Sequence, residues 1–258
     1  MNKQLEKIIK DNSSGSLQIL FNLISYCKKL NDIKDFWEVI VNSKKYLNHF
    51  SVIKNFTEEL EEQINKKHNE KVLDFLNKYE LKQKNIGETI YNSNKNIFMK
   101  INSFTTISYS KTLEEVLKIW SKDEKKIKAF ILESRPIFEG RKLALRLRKY
   151  NFDCTLLVDS MMAYAVKNSD AVLIGADKIL KNGNVINKVG SLPLCLCAVE
   201  FNKPVYVISG REKFADDTKF EPYIYPSKEV WKTKKEINII NHYFEEVPKR
   251  YTSKLLLR

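Results

Sequence analysis

The stretch AVLIGADKILKNGNVINKVGSLPLCLCAVEFNKPVYVIS, Ala171 to Ser209, carries the plan of the fold. It opens on the apolar run AVLI and closes on VYVI, each short enough for a buried strand. GSLPLCLCAVEF, Gly190 to Phe201, reads as a helix between them. Two strands joined through a helix run parallel, because a tight hairpin cannot return the chain in the same direction. Inside the stretch, Asn182–Gly183 marks a tight turn, since glycine adopts a positive φ without steric cost.

The same alternation extends outward. IFMKINSFTTIS, KIKAFILES, DCTLLVD and EINII are further short strand-like runs. KTLEEVLKIW, EGRKLALRLRKY and SMMAYAVKNS are helical patterns between them. The expected class is α/β, a mainly parallel sheet covered by helices, over residues 96–258. Residues 1–95 read instead as an N-terminal helical domain. In SGSLQILFNLISYCKKL, Leu17, Leu20, Phe21, Ile24 and Cys27 recur at three- and four-residue steps and give one apolar face. Ser14 or Ser16 can cap that helix through its hydroxyl.

Composition narrows the function. The chain has 258 residues, 43% of them hydrophobic, which supports a real core. The formal charge is +13, but the lysines are scattered among acids with no long basic run. That pattern argues against nucleic acid and fits an anionic small molecule. Cys27, Cys154, Cys195 and Cys197 lack zinc-ligand spacing and read as reduced residues of a cytoplasmic protein. The start MNKQLEKIIKDNSSG has no signal-peptide run, and no window is long and apolar enough for a bilayer. His49, His68 and His242 are too scattered for a metal site or a triad, and no cofactor is implied.

In an open parallel sheet, ligands bind beyond the carboxyl ends of the strands. The loops there offer Ser108, Ser110, Lys111 and Thr112 at a helix start, an anion-binding arrangement or an ordinary cap. Arg135 can clamp a phosphate, or pair with Glu133 or Glu139. Asp177 ends the AVLI strand and can serve as general acid or base. Asn187 and Lys188 precede the next helix, and Lys213 follows the VYVI strand. Together these groups are cationic and hydroxylic around one acid, which suits a sugar phosphate or a nucleoside monophosphate.

The block GADKILKNGNVINKVGSLPLCLCAVEFNKPVYVISGREKF, with ESRPIFEGRKLALRL, SSGSLQIL and NHYFEEVPKRYTSKLL, resembles the family of the alpha, beta and delta subunits of translation initiation factor 2B. The same superfamily holds ribose-1,5-bisphosphate and methylthioribose-1-phosphate isomerases. The resemblance implies an N-terminal helical domain, a Rossmann-like domain with helices on both faces, and homodimerisation through the latter. It implies proton transfer by a cysteine and an aspartate in the isomerases. Asp177 matches the aspartate, and Ser108 stands where the cysteine is expected. Asn187, Lys188 and Lys213 match substrate-binding positions, Ser110 to Thr112 a phosphate-contacting turn, and Gly15 and Ser16 an N-terminal contact motif. A serine hydroxyl is a much weaker acid than a thiol, and TISYSKTLEEVLK resembles the beta-type, non-catalytic segment.

Three readings follow. The chain binds a phosphorylated sugar or nucleotide without isomerising it; or it is an aldose–ketose isomerase; or it is a protein-interaction subunit with a translation-factor partner.

Overall fold

The computed structural model describes all residues except 1, 12–14, 49, 67–68, 124–125 and 258. The chain divides into two compact units, Met1–Ile86 and Gly87–Arg258. The first unit is helical: α1 (Lys3–Ile9), α2 (Ser16–Cys27), α3 (Ile33–Tyr46), α4 (Ser51–Asn65) and α5 (Asn69–Lys84). Of the periodic residues of α2, Leu17, Leu20, Ile24 and Cys27 are buried and Phe21 is half-buried. Its cap is Gly15, which makes no side-chain capping bond, and Ser16 is the first helical residue. Ser14 lies outside the described residues.

The second unit opens with α6 (Ile86–Ser93) and α7 (Lys95–Phe98). There follow β1 (Ser103–Ile107), α8 (Lys111–Trp120), β2 (Lys128–Leu132), α9 (Glu139–Lys149), β3 (Asp153–Leu157), α10 (Met162–Lys167) and β4 (Ala171–Ile174). The chain continues through β5 (Lys178–Ile179), β6 (Val185–Lys188), α11 (Ser191–Glu200), β7 (Val205–Ile208), β8 (Phe244–Val247) and β9 (Lys254–Leu256). Six strands form one parallel sheet in the order β3-β2-β1-β4-β7-β9. The chain builds outward from β1 to β3, then crosses back to β4 on the other side of β1. That reversal makes the crevice between β1 and β4 the topological switch point.

Helices cover both faces. On one, α9 packs on β2 and β3 and against α8, over the aromatic group Phe98, Phe104, Trp120 and Phe152. On the other, α10 lies on β1 and β2 and against α11, which covers β4; Val166, Leu194, Cys195 and Ala198 meet Val172, Ile174, Val205 and Val207 there. Gly140 marks how closely α9 approaches β2: a Cβ added there would sit 1.8 Å from the Leu132 carbonyl oxygen. Glycine-to-alanine normally stabilises a helix by about 0.5–1 kcal/mol. At Gly140 the sign should reverse, to a loss of about 1–3 kcal/mol in urea unfolding, because backbone must move to admit the methyl group.

One expectation gains detail and another changes. The Asn182–Gly183 turn closes an antiparallel hairpin, β5 with β6, which pairs with β8 in a separate three-stranded sheet. EINII forms no strand: no neighbouring strand is available to it, and Ile237 and Ile240 lie exposed. No helix among the described residues is long and apolar enough to cross a membrane.

Candidate functional site

The loops after β1 and β4 meet at the switch point. Ser110 caps α8, its Oγ accepting from Leu113 N at 3.3 Å. By helix geometry the N–H groups of Lys111 and Thr112 have no acceptor within α8. A Cβ on Gly175 would lie 2.6 Å from Ser110 Cβ and 2.7 Å from its Oγ, with Asn187 Oδ1 3.9 Å away. Bare backbone at Gly175 is therefore what lets Ser110 and Asn187 flank the crevice together.

Ser108 holds a left-handed backbone, φ 71°, and its N–H donates to Ser134 Oγ at 2.7 Å. Ser134 is itself left-handed, φ 67°, and fully buried. Its N–H and that of Arg135 donate to the two oxygens of Asp159 at 2.8 and 2.7 Å. The β1 and β2 loops are thus tied to each other and to the loop after β3. Such conformations cost about 1–3 kcal/mol each and persist where the surroundings impose them. Among the described residues no base hydrogen-bonds the Ser108 hydroxyl.

A buried charged group lies on the β4 side. Lys188 is 1% exposed, and its Nζ stands 2.5 Å from Glu139 Oε2. The same ammonium lies 4.5 Å above the Tyr243 ring, which stacks on Tyr225 at 3.6 Å. Burial raises the Glu139 carboxyl above its usual range; Lys188 opposes that rise and Asp177 adds to it. Lys213 is 4% exposed; burial lowers its ammonium, opposed by the charges of Asp177 and Glu212. Asp177 is half-buried, and its N–H donates to Ile186 O at 2.8 Å. Asp177 therefore acts electrostatically on both Glu139 and Lys213.

Asn187 and Lys188, as strand neighbours, face opposite ways. Asn187 Nδ2 donates to Ser191 Oγ at 2.8 Å, while Lys188 meets Glu139 and Tyr243. The start of α11 already holds an anion: Glu245 Oε1 accepts from Gly190 N at 2.7 Å and Leu192 N at 2.8 Å. The N–H groups at the start of α11 are therefore taken, whereas those of Lys111 and Thr112 at the start of α8 have no acceptor within their helix.

Other expected residues sit differently. The Arg135 side chain is exposed, donates to Val230 O at 2.8 Å, and rests over the Phe138 ring. Glu133 pairs with Arg141 and Glu139 with Lys188, so neither pairs with Arg135. Lys111 is ion-paired to Glu114 at 3.2 Å and Glu115 at 3.6 Å. Glu114 is 1% exposed and also accepts from Tyr109, Arg146 and Tyr150 at 2.6–2.7 Å. Burial opposes its charge, but those bonds and Lys111 win and hold the carboxyl down at about 2. Gly15 and Ser16 belong to the first unit, at the start of α2. His49 and His68 lie outside the described residues, and His242 Nδ1 donates to the Tyr223 carbonyl oxygen at 3.0 Å. No group of three or more His, Cys, Asp or Glu among the described residues could hold a metal.

The sequence reading missed Glu139 and Glu245 as members of the site. Their partners stand far away in the chain, and neither a first-turn glutamate of α9 nor a glutamate within β8 gives a local signal of its role.

The profile of the initiation factor 2 subunit family matches residues 1–256. The chain belongs to this family. Ribose 1,5-bisphosphate isomerase of Archaeoglobus fulgidus is 33% identical over 147 residues, 57% of this chain and 46% of that protein. Translation initiation factor eIF2B subunit alpha of Caenorhabditis elegans is 33% identical over 109 residues, 42% of this chain and 36% of that protein. In both cases the matched stretch spans less than half the relative's length. The crystal structure of the Pyrococcus horikoshii OT3 translation initiation factor eIF-2B superposes with a TM-score of 0.80, covering 98% of this chain and 93% of that one, at 18% identity. The initiation factor 2 subunit family thus includes relatives named as isomerases and relatives named as translation-factor subunits, and at that identity the superposition speaks for the fold alone.

Proposed function

We propose that this protein binds a phosphorylated sugar or a nucleoside monophosphate in the crevice between β1 and β4, without isomerising it. The observation that carries this reading is the burial of two lysines, Lys188 and Lys213, around Asp177 at the carboxyl edge of the sheet. Buried ammonium groups cost free energy in a folded chain, and they cluster at functional sites. Ser110, Lys111 and Thr112 supply the phosphate end, Asn187 and Lys188 the polar wall, and Arg135 the rim. Ser108 leaves the site without the thiol that a proton-transfer step in the related isomerases would use. In this reading the 96–258 domain binds ligand and forms a cytoplasmic homodimer.

A thermal-shift screen against pentose phosphates and nucleoside monophosphates tests the reading. A ligand at a hundredfold excess over its dissociation constant should add about 2.7 kcal/mol of apparent stability. The shift should vanish in Asp177→Ala. No shift with any of these compounds would move the weight to a translation-factor interaction subunit.

One observation favours a second reading. Asp177 keeps buried lysine and carboxylate neighbours suited to proton transfer. Incubation with ribose 1,5-bisphosphate or methylthioribose 1-phosphate would then yield ketose, and turnover no greater than that of Asp177→Asn removes this reading.

A further inference from the structure

We propose that Glu139 sets the ligand specificity of the site: its ion pair with Lys188 recognises neutral sugar hydroxyls and excludes a second phosphate. The inference rests on the sugar-phosphate reading above and says which end of the ligand lies where. Lys188 is the cation a phosphate dianion would seek, but Glu139 Oε2 already stands 2.5 Å from its Nζ. The Tyr243 ring covers the ammonium at 4.5 Å, and only 1% of the residue is exposed. Glu139 is the first residue of α9, where the positive end of the helix favours a carboxylate. The pair is therefore built into the fold.

The charges around it balance. Glu139, Asp177 and Glu212 stand against Lys188, Lys213 and Lys142, so the formal sum of these neighbouring charges is zero. A phosphate brought to Lys188 would meet the Glu139 carboxylate at close quarters, and like charges juxtaposed in a buried setting are strongly disfavoured. A vicinal diol meets no such repulsion. A hydroxyl donates to the Glu139 carboxylate, whose side chain is 22% exposed, and the buried Lys188 ammonium keeps its ion pair. The phosphate then has one berth, the start of α8 beside Ser110 and Gly175. A sugar phosphorylated at one end fits this arrangement, and one phosphorylated at both ends does not.

Isothermal titration of the full chain with ribose 5-phosphate and ribose 1,5-bisphosphate tests the proposal. The wild-type protein should prefer the monophosphate by about tenfold or more. In Glu139→Gln the ratio should swing by at least about tenfold toward the bisphosphate, whose second phosphate replaces the missing counter-charge. If that variant does not fold, Glu139→Gln/Lys188→Met removes both charges, and the monophosphate preference should disappear. A wild-type preference for the bisphosphate, or a ratio unmoved by the variants, overturns the proposal while leaving the binding reading intact. If neither sugar binds wild type or either variant, the binding reading falls and this inference falls with it.

Discussion

Replacing Glu114 by glutamine is expected to remove about 3 kcal/mol of stability at pH 7, and almost none near pH 2. The carboxyl is held at about 2, against an ordinary value of 4.5, by Tyr109, Tyr150, Arg146 and Lys111. At about 1.4 kcal/mol per tenfold change in proton affinity, that difference corresponds to about 3 kcal/mol. The folded state holds its proton less tightly than the unfolded one. The contribution is therefore fully present above about pH 4.5 and is lost as pH falls through about 2. Urea unfolding of wild type and variant at several pH values checks this, and a gap that stays constant down to pH 2.5 would count against it. Glu114 also anchors Tyr109 and Lys111, which flank Ser110. The variant should therefore loosen the proposed phosphate berth as well as the fold.

The second large effect concerns the pair in the site. Lys188→Met should cost about 3–5 kcal/mol, because it leaves the Glu139 carboxylate buried without its cation. Adding Glu139→Gln should recover most of that loss, since a neutral pair has no orphaned charge. A double-mutant cycle by chemical unfolding measures the coupling. Additive losses would mean that Glu139 and Lys188 do not stabilise one another. The cycle stands apart from ligand binding and checks the geometry on which the specificity argument depends.

Local pattern reached far in this chain where the signal was itself local. KTLEEVLKIW, read as a helix, is α8 from Lys111 to Trp120, because its apolar positions fall on one face and Ser110 caps it. The AVLI and VYVI runs are β4 and β7, neighbours in the parallel sheet. EINII failed because alternation alone does not make a strand; a partner with unused backbone groups is also required. The strand at Phe244–Val247 escaped notice because FEEV carries two acids and owes its place to β6.

The site shows the same division. Ser110 and Asp177 were visible as residues at strand ends. Arg135 and Lys111 were visible too, but their observed partners are Val230 and the Glu114–Glu115 pair. In the sequence Glu139 stands only as a possible partner of Arg135. Its pairing with Lys188 spans two βα units, and nothing in the spacing of either segment announces it.

The three-stranded sheet also imposes an order of assembly. The strand carrying Asn187 and Lys188 is paired on one edge by the hairpin and on the other by Phe244–Val247. Protein synthesis runs from the N-terminus, and the parallel sheet can begin to form as its strands emerge. The second edge of β6 must wait for residues some sixty positions later, and so must the Glu245 carboxylate that caps α11. A nascent chain can thus own Ser110, Glu139, Asp177 and Lys188 while the wall bearing Lys188 is still half-supported. The last strand of the main sheet, β9, emerges later still, so a nick in the irregular stretch between β7 and β8 would cut both sheets from their final strands.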